Sequence, residues 1–273
     1  MKYLIVFTFA SLCAMNTLAQ GDKSSTTLLL AEDIQWSPLN PARGDNSPQA
    51  GTLWGDRNST DPTGFLVEFK EGFSSPAHIH NVTYKGIVIS GLVHNDDPNA
   101  ESMWMPAGSF WTQPAGEGHI TAAKGKKNVA FIEIEEGPYL VKPTDQAFDN
   151  GERPVNVDQS NIVWLDASNI KWIDQNSDGV KVAFLWGKPA NDELNGSLIK
   201  LPAGFNGEIL SSGGSLKAVV IQGSPQYRTK KKNQTIAPGS YFGSKGKTSH
   251  QISSQDESTI YVRTIGQYEI IKN

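Results

Sequence analysis

The chain has 273 residues, with 24 Lys and Arg against 28 Asp and Glu, a formal net charge of −4. That mild acidity disfavours phosphate backbones and anionic membrane surfaces, so no nucleic-acid or membrane partner is expected. The single cysteine, Cys13, excludes an intramolecular disulfide and any multi-thiolate metal site.

The first element in chain order is an export signal. Lys2 precedes an apolar run from Tyr3 to Met15, too short to span a bilayer, and Ala19 stands where a signal peptidase reads small residues. Cleavage is expected after Ala19. It removes Cys13 and one lysine, leaving a thiol-free chain of formal charge about −5. Leu12 before Cys13 is not the small residue of a lipoprotein cleavage site, and no second apolar segment is long enough to be transmembrane. The mature protein is expected in the periplasm of a two-membrane cell, or otherwise secreted.

Past the signal the sequence repeats itself. Leu53-Trp54-Gly55 recurs as Leu185-Trp186-Gly187, and Gly64, Gly72-Phe73 and Gly91 recur as Gly196, Gly204-Phe205 and Gly223, all 132 positions on. Pro106-Ala107-Gly108-Ser109-Phe110 recurs as Ala237-Pro238-Gly239-Ser240-Tyr241, and His119 as His250, 131 positions on. An offset held through so many landmarks indicates two copies of one fold. Runs rich in Val, Ile, Phe, Tyr and Thr predict strands over 63–69, 85–90, 102–105, 129–134, 197–201, 217–221 and 259–265. The fold class is all-β, as a sandwich or barrel. The division expected is 20–140 for the first copy, 141–160 for a linker and 161–273 for the second. The Pro-interrupted stretch 137–159 connects them, and its length suggests that part of it packs across a barrel.

The first copy holds the candidate chemistry. In an extended chain His78 and His80 share a face, so both can reach one metal ion, with His119 arriving from another strand. Three neutral imidazoles with an open position suit a working transition metal.

These residues resemble the two motifs of the cupin superfamily. Gly72, His78, His80 and Gly91 fall on the first, with Tyr84 where glutamate is usual. Gly108, Pro114, Gly116 and His119 fall on the second, with Ala123 in place of its final asparagine. The chain looks similar to bicupins of an uncharacterised family and to the cupin domain of zinc-binding anti-sigma factors. The resemblance implies two tandem double-stranded β-helix (jelly-roll) barrels and one divalent transition metal, iron or zinc foremost, with manganese and nickel as further candidates. In the second copy the offset of 132 sets Leu210, Ser212 and Leu216 against His78, His80 and Tyr84. His250 alone remains, and is read as a hydrogen-bonded strand histidine in a metal-free barrel.

Tyr84, four residues after His80, is open to three roles: ligand of an oxidised iron, hydrogen-bond partner beside the metal, or packing. The second is favoured, as a catalytic group. His94 is read as a solvated hairpin residue or a rim ligand, and Glu117 as a loop carboxylate or a support for an imidazole. Glu133 and Glu135 share a strand face with Val129 and Phe131, so one of the two can enter the barrel in place of the missing carboxylate. Trp104 and Trp111 are read as core, and the basic run 228–232 as an exposed hairpin tip.

Three functions compete. One is an exported metalloenzyme, dioxygenase-like, acting on a small oxygen-rich molecule; a second is a zinc-bound module that captures a small ligand without turnover; a third is an inert structural bicupin. The partner is a small molecule in the first two, and a homodimer is allowed. N-terminal sequencing of the mature protein from its native host should return Gln20 as the first residue; Met1 would refute the export signal.

Overall fold

Alternation of apolar side chains along the strands builds two barrels and, at the same time, the contact between them. A computed structural model describes residues 25–273 except 175, 191, 213, 230 and 231; the expected export signal and Cys13 lie outside these residues. In the strand Asn128–Ile134, every residue of which is buried, Ala130, Ile132 and Ile134 fill the first barrel with Phe65, Val67 and Trp111. Val129 and Phe131 face the other way, against residues of the second barrel. A strand buried on both faces needs a partner on each.

Each barrel has a seven-stranded sheet. The first runs Val155–Val157, Phe110–Gln113, Tyr84–Ser90, Asn128–Ile134, Thr63–Phe69, Gln49–Trp54, Trp36–Pro38. The second runs Ser25–Leu29, Tyr241–Lys245, Ser215–Gln222, Ser258–Ile265, Leu194–Leu201, Lys181–Gly187, Leu165–Asp166, the same order in the repeat. One strand at each edge is exchanged. Ser25–Leu29, which precedes the first barrel, pairs with Tyr241–Lys245 of the second, and Val155–Val157, from the connecting stretch, pairs with Phe110–Thr112 of the first.

The two large sheets pack back to back about a pseudo-twofold axis. Glu133 pairs with Gly64 in one sheet and Arg263 with Gly196 in the other, so they are equivalent positions of the repeat. They meet across the interface, Arg263 Nε 3.7 Å from Glu133 Oε2, while the Tyr261 hydroxyl donates to Glu133 Oε1 at 2.6 Å. Phe131 and its counterpart Tyr261 lie 5.3 Å apart. Lys217 covers Trp54 and, reciprocally, Lys85 covers Trp186. Glu133, considered above as a carboxylate for the first barrel, therefore points away from it. The face it shares with Val129 and Phe131 is the one between the barrels.

Gly64 and Gly196 recur for a packing reason. A Cβ at either would stand within 2.2 Å or 2.0 Å of the Trp54 or Trp186 ring that lies across it.

Opposite the large sheet, the second barrel has a continuous five-stranded sheet, Asn233–Thr235, Gln226–Arg228, Thr248–Ser254, Phe205–Ser211, Tyr268–Lys272. In the first barrel the corresponding sheet is broken. Ile79–His80 pairs with Val141–Lys142 and Val93–Asp96 with Ile120–Ala123, joined by bridges at Ser74–Ala122 and His78–His119. The stretch 102–105 is not a strand; only Met105 bridges Val93, because Pro106 follows without an N–H to continue a ladder.

Replacing Phe131 by Ala removes a fully buried ring from the inter-barrel contact. Chemical denaturation should show a loss of about 3–5 kcal/mol. A loss under about 1 kcal/mol would mean that the barrels do not depend on each other.

Candidate metal centre

The break in the small sheet of the first barrel is where the imidazoles gather. His80 ends the short strand Ile79–His80; His78 pairs main chain to main chain with His119, N to O at 3.0 and 2.9 Å. The ligand nitrogens of His78, His80 and His119 all lie within 4.8 Å of one another, and among the described residues this is the group of its kind. Such an approach of three bases suits one shared cation.

Main-chain carbonyls fix which nitrogen faces the centre. His78 Nδ1 donates to Pro76 O at 2.9 Å, His80 Nδ1 to Leu140 O at 3.1 Å and His119 Nδ1 to Glu117 O at 3.1 Å. A carbonyl only accepts, so each Nδ1 carries the proton and each Nε2 keeps its lone pair for a metal. Burial, reinforced by mutual repulsion, holds the His80 and His119 pKa values down, His119 to about 3, and burial also lowers that of His78. Neutral imidazoles are the form that coordinates. Glu117 thus supports His119 through its carbonyl rather than its carboxylate.

Tyr84 stands beside the triad with its proton committed. Its hydroxyl donates to Asn95 Oδ1 at 2.8 Å and lies 3.4 Å from His119 Nε2. Asn95 Oδ1 also accepts from Thr121, and the Asn95 amide donates to Gln113 Oε1 at 2.9 Å. Burial raises the Tyr84 pKa, which keeps the phenol protonated. Its oxygen is accordingly neutral, with its lone pairs left for a donor that enters the site.

Three participants escape the sequence reading. Asn95 falls in what reads as a solvated acidic loop, yet it enters the barrel one residue after His94. Gln113 sits inside the second motif without belonging to it. Tyr139, from the connecting stretch, stacks on His80 with ring centres 4.3 Å apart and donates to His80 Nε2 at 3.1 Å. Its only signal is an aromatic residue where a linker is expected.

His94 is neither solvated nor a rim ligand. Strand alternation with Asn95 turns it out of the barrel, where it is 1% exposed beside Trp104, with no hydrogen-bond partner for either nitrogen. Trp111 is core, and also part of the cavity wall.

Among the described residues the second barrel has no comparable group. His119 faces His78 as His250 faces Ile209, so the structural counterparts of His78 and His80 are Ile209 and Ser211, one residue short of the constant offset. An extra residue between Ser74 and His78 in the first copy causes the slip, which is made up again before Tyr84. His250 is fully buried, bonded to the Tyr227 hydroxyl at 2.8 Å and the Ser244 hydroxyl at 3.0 Å.

A family model described as a domain of unknown function, DUF4437, matches residues 27–271. The chain belongs to the DUF4437 family. Among curated proteins none matches this DUF4437 sequence. Solved structures do match its fold. A candidate dioxygenase of Nostoc punctiforme PCC 73102 is 13% identical over 89% of this chain and 83% of its own, with a TM-score of 0.67. Vicilin of hazelnut, Corylus avellana, is 11% identical over 90% and 87%, TM-score 0.56. Salicylate 1,2-dioxygenase of Pseudoaminobacter salicylatoxidans is 12% identical over 79% and 73%, TM-score 0.52. At such identities the shared property is the fold, and the DUF4437 chain is a pair of cupin barrels with a histidine triad able to hold a metal ion.

Elemental analysis of the protein loaded with a divalent metal and dialysed should find one equivalent per chain. His119→Ala should lose most of it and His250→Ala almost none; equal losses would misplace the centre.

Proposed function

We propose that this chain is an exported bicupin enzyme that binds one iron(II) ion at His78, His80 and His119 and oxidises a small oxygen-bearing molecule. The carrying observation is the gathering of three imidazoles whose ligand nitrogens lie within 4.8 Å of one another, each Nδ1 tied to a carbonyl and no carboxylate among them. Three neutral ligands leave the full +2 charge on the ion, which favours an anionic or polarisable oxygen donor as the fourth ligand. The ion would supply open positions and a redox-active centre through which electrons from the substrate reach O₂. The fold shared with a salicylate dioxygenase is consistent with this reading and does not by itself assign it.

The chain's own groups would position the reactant. Tyr84, its proton on Asn95, would accept a hydrogen bond from a substrate hydroxyl. Tyr139, whose hydroxyl turns to His80 Nε2, would donate to a substrate oxygen once that nitrogen is taken by a metal. Trp111, Phe69 and Ile132 exclude water from the inner wall.

The all-nitrogen donor set also suits zinc, and a zinc-bound sensing module that captures a small ligand without turnover is the alternative. Oxygen-uptake screening of the iron-loaded protein against hydroxylated small acids separates the two. Uptake with at least one substrate is expected. Ligand binding by the zinc form with no uptake by the iron form would select the sensor. Tyr84→Phe should keep the metal and lower turnover or ligand affinity by about 10–100-fold; loss of the metal would make Tyr84 a ligand, and no change in either would make it packing.

A further inference from the structure

Against His78 and His80 of the triad lies a cavity of about 290 Å³. An apolar cavity of roughly 150 Å³ accepts benzene, so this one has room for a benzene-sized body with substituents. Its walls are apolar and largely aromatic: Val67, Phe69, Phe73, Trp111, Ile132 and Tyr139. No Asp or Glu lines it; the charged side chains that do, besides the imidazoles, are Arg43 and Lys142.

Both cations lack a carboxylate. Arg43 stands on the short turn Pro41–Asn46, its guanidinium 5.8 Å from the centre of the Phe73 ring, which packs in turn on Phe69 at 5.3 Å. Lys142 follows Val141 on the strand that pairs with Ile79–His80. Neither side-chain head makes an ion pair or a hydrogen bond among the described residues, whereas Lys85, Arg153 and Arg263 each have an acid. Two unpaired cations on a largely apolar, acid-free wall match an anion with an apolar body.

We infer that the site takes a small carboxylic acid with a flat apolar body, its carboxylate held by Arg43 and Lys142 and its body against the aromatic wall. The inference deepens the enzymatic reading above, but the carboxylate contact itself does not depend on the metal. Arg43 and Lys142 are specificity-determining residues in this arrangement.

The test is calorimetric titration of the full chain with benzoate and with its neutral analogue benzamide. It is run on the zinc-loaded protein, where no turnover interferes, and on the metal-stripped protein. Charge-assisted hydrogen bonds of this kind should favour benzoate by roughly 10- to 100-fold. Arg43→Gln with Lys142→Gln should bring the two probes to within about threefold while zinc content and benzamide affinity hold; each single change should lose part of the preference. Equal affinity for the two probes in the unaltered protein would overturn the inference, as would no binding of either at millimolar concentration. So would a preference that survives the double substitution but vanishes when zinc is removed, since the metal would then be holding the carboxylate. Benzoate preference retained in the metal-stripped protein, together with no oxygen uptake by the iron form, would leave this inference standing and refute the oxidative reading alone.

Discussion

The constraint on which everything else rests is that the central strands of both seven-stranded sheets are buried on both faces. A sheet of that kind cannot be left against water, so each barrel needs the other as a second core. The same demand explains why a copy without metal ligands persists in the chain. The second barrel covers the back of the first, which leaves the small sheet of the first free to be interrupted. That sheet is broken at the histidines, where irregular backbone offers carbonyls to three Nδ1 protons. The continuous sheet of the second barrel has its main chain engaged in ladders and nothing equivalent to offer.

The centre is electrostatically spare. Neutral imidazoles, protonated tyrosines and amide groups surround it, and Glu133, the one buried carboxylate among the described residues, is turned outward and engaged with Arg263 and Tyr261. An added cation would therefore have its charge compensated mainly by what binds to it. The Tyr84–Asn95–Gln113 chain orients its members without bringing charge of its own, and rigidity is what such a satisfied network provides. The same fold serves a vicilin and a dioxygenase, so the difference must lie in side chains of this inner surface.

Much of the architecture was legible because it depends on period and repetition. The strands at 63–69 and 129–134, the tandem repeat and the histidine spacing are local patterns, readable from one segment at a time. What stayed hidden depends on pairings between distant segments. Which face of 129–134 looks into the barrel is decided by a second sheet, so Glu133 could be assigned to a face but not to a side. The slip that moves the counterpart of His78 from Leu210 to Ile209 is a bulge of one residue between two matching landmarks, and a constant offset passes over it. Asn95 and His94 are adjacent and both buried, yet sequence polarity alone made the loop look solvated. Tyr139 entered from a connecting stretch with no motif. The strands Phe205–Ser211 and Thr248–Ser254 were missed because Asn, Gly, Ser and Gln dilute the β-forming residues in them.

The exchanged edge strand sets an order of assembly. Ser25–Leu29 has its ladder partner in Tyr241–Lys245, and the next residues keep that attachment, with Ala31 N bonded to the Ser240 hydroxyl across 209 positions of chain. The earliest segment of the sheet to leave the ribosome is thus among the last to find its place, and contacts of such range are slow to form. Until they do, the second barrel presents an open edge at Tyr241–Lys245. A chain built this way has reason to stay unfolded until nearly all of it has been made.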